Sequence, residues 1–264
     1  MPFITLTFNR IGYERSMATQ VSRASSTAGV LAGKTAVITG AGRGVGKAIA
    51  TVFAQAGAHT ILVVRDRRVG ERIAAQLRKQ GYSADVGVAD ITNAAQLSML
   101  VLKIMQRRAD VDILVNNAGV FLREDREMRP SNIDPLILDR TLSVNLYGPI
   151  QVCDAFIPHI ARGGRIINVS SRMGQFAGES DAYGPAYSIS KAALNMYTQL
   201  LAADLREREI MVDAFHPGWV KTDMGGPAAT VDPEDAAETA LFLAARPSSE
   251  RSGLFWERGQ VIDW

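Results

Sequence analysis

Short runs of apolar and β-branched residues recur along this chain, each followed by a stretch with helical character. That alternation constrains the fold more than any other feature. Residues 35–39, 60–64, 84–88, 112–115, 165–169 and 211–215 each read as a strand. A helix over 45–56 follows the first and stops at Gly57, and one over 69–79 follows the second and stops at Gly81. Thr92 or Asn93 caps a third, running to about residue 108. Strands that are continuously apolar need cover on both faces, and the helices between them supply it in a parallel sheet. The expectation is a doubly wound α/β fold in a single domain over 33–264.

Residues 1–32 fall outside this pattern. They are rich in Ser and Thr, with Arg10, Arg15 and Arg23 interrupted by Glu14. The apolar start is too short for a secretory signal, so the segment reads as a disordered extension, with Met17 as an alternative beginning. No run approaches the roughly 18 apolar residues of a membrane helix, and cytoplasm is the expected location.

Charge removes other classes. A net charge of +2, from 29 basic and 27 acidic residues, gives no general field for nucleic acid or membrane. No basic stripe interleaved with aromatics is present. Cys153 is the single cysteine, in an apolar run, and reads as a buried structural thiol. His59, His159 and His216 lack metal-ligand spacing, so no metal is expected.

Between the first strand and its helix lies Gly40-Ala41-Gly42-Arg43-Gly44-Val45-Gly46. Glycines at that junction permit a tight turn and close approach of backbone to a pyrophosphate, which then meets the free N–H groups of the helix. The spacing is Thr-Gly-x-x-x-Gly-x-Gly, not G-x-G-x-x-G. With Asn116-Asn117-Ala118-Gly119 after the fourth strand, Ser170-Ser171 after the fifth, Tyr187-x-x-x-Lys191, and Pro217-Gly218 after the sixth, it resembles the short-chain dehydrogenase/reductase family. The resemblance extends from Lys34 to Trp264 and implies a Rossmann fold and hydride transfer between a nicotinamide and a carbonyl or alcohol. Residues 218–226 and the Phe255-Trp256 to Trp264 ending look most like its carbonyl-reductase-like branch.

The residues suit that chemistry. Tyr187 and Lys191 stand four apart on a helix and share a face. A tyrosine of ordinary pKa, about 10, holds its proton tightly, and a neighbouring ammonium is expected to pull that pKa toward neutrality. Tyr187 is thus the expected acid in reduction and base in oxidation. By resemblance, Lys191 also holds the nicotinamide ribose. Ser171, preferred to Ser170 for its family position, would hydrogen-bond the substrate oxygen. Asn145 matches the family residue that holds a relay water, and Asn117 looks like a cofactor and strand-bracing contact.

Strand two ends Val63-Val64-Arg65-Asp66, where the family's NAD-selecting acid is replaced by Val64. Arg65 and Arg43 are suited to a ribose 2′-phosphate, which favours NADP over NAD, although Asp66 lies one residue from the selecting position. The resemblance further assigns Gly40, Gly42, Gly44, Val45 and Gly46 to the pyrophosphate, Asp90 and Ile91 to adenine, and Val220 and Thr222 to the nicotinamide amide. Residues 121–129, 174–185 and 219–229 are expected to wall the substrate pocket. A homodimer or homotetramer is implied, associating through helices after strands four and five. The competing class is an NADP-occupancy sensor of low turnover, which has no need of a tuned phenol.

Overall fold

The computed structural model describes residues 29–178 and 182–264. Most of the extension expected over 1–32 lies outside the described residues. Residues 29–33 form a turn in which Leu31 is buried and its N–H donates to the Ala56 carbonyl, so ordered packing reaches slightly ahead of the first strand.

Eight strands form one sheet in the order β3-β2-β1-β4-β5-β6-β7-β8. They are β1 (Thr35–Thr39), β2 (His59–Val64), β3 (Ala84–Val88), β4 (Val111–Asn116), β5 (Ile160–Val169), β6 (Met211–Phe215), β7 (Phe255–Glu257) and β8 (Gln260–Ile262). All pairings are parallel except β7 with β8. The first six match the apolar runs of the sequence, and the last two were not expected.

The main helices are α1 (Gly44–Gln55), α2 (Arg67–Lys79), α3 (Ala94–Met105), the single turn α4 (Arg123–Arg126), α5 (Pro135–Leu142), α6 (Gly148–Phe156), α7 (Pro185–Asp204) and α8 (Pro233–Ala245). Asn93 caps α3 through its side chain, and Asp66 caps α2. One apolar cluster places Ile49, Phe53, Leu77, Leu241 and Trp256 on one face of the sheet. The other buries Leu97, Leu100, Val152, Phe156 and Leu201 opposite. Strands β1, β2 and β6 are consequently buried at every residue.

The strand order reverses between the parallel neighbours β1 and β4: the chain continues from β1 to β2 on one side and from β4 to β5 on the other. In such sheets the crevice beyond the strand ends at this point is where ligands bind.

Candidate active site

A cleft of roughly 1300 Å³ opens at that point, lined from Gly40 and Arg65 at one end to Tyr187, Trp219 and Met224 at the other. Its first wall is the N-terminus of α1. Arg43 precedes this helix in extended backbone without a side-chain cap, and no acid occupies the first turn. The opening N–H groups are therefore left for an anion. Gly44 has φ +52°, and a Cβ at Gly46 would lie 2.5 Å from the Gly40 carbonyl oxygen. The Asn117 amide nitrogen donates to the Thr39 carbonyl at 2.9 Å, and the Asn117 N–H donates to Thr39 Oγ at 3.0 Å, bracing β4 against β1. An uncapped helix end behind a glycine-rich loop fits a dinucleotide pyrophosphate.

Beyond the end of β2, Arg43 and Arg65 both line the cleft. Arg43 pairs with Asp223 at 2.7 Å, with both side chains largely exposed. The Asp66 carboxylate accepts the Arg68 N–H at 2.8 Å, which ties it to the start of α2. Asp90 behaves similarly: its carboxylate accepts from the Thr92 N–H and hydroxyl, which hold its pKa below the usual range. Ala89 and Ile91 line the cleft on either side of it. Val220 and Thr222 line the far wall, where the Thr222 methyl would meet a Cβ at Gly44.

Tyr187 and Lys191 sit together on α7 at the cleft floor, 9% and 5% exposed. The Lys191 ammonium lies 5.6 Å from the Tyr187 ring centre and donates to the Val169 carbonyl at 2.9 Å. Their electrostatics correct one expectation. Burial pushes the Tyr187 phenol up to about 12, and the interaction with Ser171 offsets this only in part. Burial also brings the Lys191 ammonium down to about 8. Desolvation penalises the charged form of each group and sets the direction of both shifts.

Ser171 follows β5, caps a short 3₁₀ turn (Arg172–Gly174) and faces the cleft. Ser170 instead donates to Asn195. Asn145 lies in a π turn (Ser143–Tyr147) between α5 and α6, fully buried. Its Oδ1 accepts the Val120 N–H at 2.8 Å, and its Nδ2 donates to the Val120 carbonyl at 2.9 Å and to Ser190 Oγ at 3.0 Å. The Ser190 hydroxyl donates to the Tyr187 carbonyl at 2.7 Å, so Asn145 ties the segment after β4 to α7.

Phe121, Arg126 and Tyr183 fall in the segments expected to wall the pocket, but the sequence did not reveal the contacts among them or the role of Asp125. Phe121 stacks on Tyr187 at 4.6 Å between ring centres and meets Tyr183 edge-on at 5.5 Å. The Arg126 guanidinium lies 4.7 Å from the Phe121 ring centre and donates to the Met224 carbonyl at 2.7 Å, tying two pocket segments together. Beside it, the fully buried Asp125 accepts from the N–H groups of Ala186 and Tyr187. Residues 179–181 of the expected pocket wall lie outside the described residues.

The family model for short chain dehydrogenase matches residues 34–231. The chain belongs to the short-chain dehydrogenase/reductase family. Among curated relatives, the C-signal of Myxococcus xanthus is 38% identical over 157 residues, 58% of this chain and 93% of that protein. Carbonyl reductase (NADPH) 1 of Mus musculus is 28% identical over 274 residues, covering 87% of this chain and 98% of its own. Among solved structures, a short chain dehydrogenase from Burkholderia cenocepacia in complex with NADP has a TM-score of 0.75 at 30% identity, covering 85% of this chain and 96% of that one. This short-chain dehydrogenase/reductase is thus an oxidoreductase with the family's parallel sheet. Among its described residues no helix is long and apolar enough to cross a membrane.

Proposed function

We propose that this oxidoreductase is an NADP-dependent carbonyl reductase or alcohol dehydrogenase. The observation that carries the proposal is the placement of Tyr187, Lys191 and Ser171 at one end of a cleft whose other end is an uncapped helix N-terminus. Gly40, Gly42, Gly44, Val45 and Gly46 would hold the pyrophosphate, Ile91 with Asp90 the adenine, Asn117 and Lys191 the nicotinamide ribose, and Val220 and Thr222 the nicotinamide. A reduced nicotinamide held there would supply the hydride for the substrate carbonyl carbon. Ser171 donates a hydrogen bond to the carbonyl oxygen as negative charge develops there. Tyr187 gives that oxygen its proton.

A phenol held near 12 does not oppose this step. An alkoxide is a far stronger base than a phenolate, so transfer runs downhill, and the acid is fully loaded at neutral pH. The Lys191 ammonium, charged below about 8, then stabilises the phenolate left behind. Oxidation of an alcohol runs the same transfers in reverse.

NADP is preferred to NAD because Arg43 and Arg65 line the ribose end while the Asp66 carboxylate is engaged in capping α2. The names of the mouse relative and the Burkholderia complex support that choice. A homodimer or homotetramer through the helices after β4 and β5 belongs to the same proposal. It is supported by exposed Tyr147, Ile189, Met196 and Leu200 on those segments. The test is NADPH and NADH oxidation with a panel of aldehydes, ketones and quinones. Turnover favouring NADPH supports the proposal. Binding of NADPH without turnover of any substrate would make the protein a cofactor sensor instead.

A further inference from the structure

Helix α7 carries Tyr187 in its first turn, yet the helix has no cap of its own. Gly184 stands at the capping position with φ +59°, and a Cβ there would lie 2.7 Å from two ring carbons of Phe121. The ring that stacks on Tyr187 therefore excludes the Ser, Thr, Asp or Asn that would ordinarily close such a helix. Pro185 has no N–H to satisfy, and the Ser188 N–H returns to the Gly184 carbonyl at 2.9 Å. Two first-turn donors remain, those of Ala186 and Tyr187.

Both are taken by Asp125, 61 and 62 residues away in the chain. One carboxylate oxygen accepts the Ala186 N–H at 2.9 Å and the other accepts the Tyr187 N–H at 2.9 Å. The carboxylate is 0% exposed. Among the described residues it takes part in no ion pair. A buried carboxylate without a cation is costly unless its oxygens are hydrogen-bonded, and here the helix N-terminus supplies both the donors and the positive end of a dipole. This bidentate grip reaches the backbone of Tyr187 itself and comes from the same turn whose Arg126 packs on Phe121.

We infer that Asp125 is a positioning residue for Tyr187: as a cap supplied from outside the helix, it fixes the first turn of α7 and with it the placement of the phenol. The inference rests on the proton-donor role proposed above. Loss of one acceptor loosens the turn, and loss of both lets the phenol drift. A displacement of about 1 Å at a reacting group costs on the order of 100-fold in rate.

The test compares the full-length wild type with Asp125→Asn, Asp125→Ala and Tyr187→Phe, each normalised by NADPH titration to the concentration of binding sites. Expected are a kcat lower by about tenfold in Asp125→Asn and about 100-fold in Asp125→Ala, with NADPH Kd within about twofold of wild type. The solvent deuterium isotope effect on kcat should rise in both, because delivery of the proton becomes slower. A purely structural role would lower the number of binding sites and leave kcat per site and the isotope effect unchanged. That result, in the near-isosteric Asp125→Asn alone if Asp125→Ala does not fold, overturns the inference. If Tyr187→Phe keeps wild-type turnover, it is the proton-donor reading that fails.

Discussion

The Lys191 ammonium donates to the Val169 carbonyl oxygen at 2.9 Å, inside a pocket that leaves the lysine 5% exposed. A cation so placed has lost most of its hydration for one neutral acceptor, which is why its pKa falls to about 8. Between about 8 and the ordinary 10.5 the native lysine is neutral while the unfolded one is protonated. The unfolded chain then binds more protons, and stability rises with pH across that window. Tyr187 works the other way only above about 10, where the unfolded phenol ionises and the native one, near 12, does not. Chemical denaturation of the cofactor-free protein should show stability increasing from pH 8 to about 9, above which the buried Cys153 thiol, pushed up to about 11, keeps a proton that the unfolded chain loses and levels the rise. Lys191→Met should remove that rise and be more stable at pH 7 by about 2 kcal/mol, even after the bond to Val169 is lost. The same variant should be without turnover.

The pH profile of activity has the opposite sign. Below about 8 Lys191 carries the charge that binds ribose and steadies the phenolate, and above it that charge is lost. The value of kcat/KM for NADPH, which reports the free enzyme, should fall about tenfold per unit as pH rises beyond 8. A profile flat to pH 10 would mean that Lys191 does not serve the reaction as a cation.

Arg43 is held by Asp223 in a pair exposed on both sides, which is worth little and opens readily for a phosphate. Arg65→Asp combined with Arg43→Ala removes both cations and restores an acid at the end of β2. The NADPH/NADH ratio of kcat/KM should fall by at least about 100-fold, equivalent to about 3 kcal/mol. An unchanged ratio would remove these arginines from cofactor selection.

Asn145 satisfies both backbone groups of Val120 and reaches Ser190. Asn145→Ala would leave the partly buried N–H and carbonyl of Val120 without their partner, at about 1–2 kcal/mol together. Thermal melts should show a lower Tm. At temperatures where the variant is folded, kcat should still be reduced, because the tie from Val120 through Ser190 to the Tyr187 carbonyl is gone.

Much of the framework was legible in the chain itself. Strands such as residues 35–39 are apolar or β-branched at every position because both faces are covered, so pattern and burial coincide. The Tyr187-x-x-x-Lys191 spacing survives folding because a helix puts those positions on one face. What was hidden depends on distant contacts. Strands β7 and β8 are three residues each, too short for any period, and exist because Phe255 and Trp256 pair with Ala214 and Phe215 of β6. The π turn at Asn145 has no periodic signature that the sequence could show. Asp125 reads as one more charge in Arg123-Glu124-Asp125-Arg126, and its partners lie some 60 residues away. The direction of the Tyr187 shift was misjudged for the same reason: spacing reveals the ammonium but not the depth of burial.

Tyr187→Phe tests the central claim most directly, because it removes one oxygen from a ring already fixed by its stack on Phe121. Steady-state reduction of the best carbonyl substrate should be followed beside NADPH titration for both proteins. The account predicts an unchanged NADPH affinity and a kcat lower by about 100- to 10,000-fold. Turnover within a few-fold of wild type, with NADPH bound equally well, would contradict it.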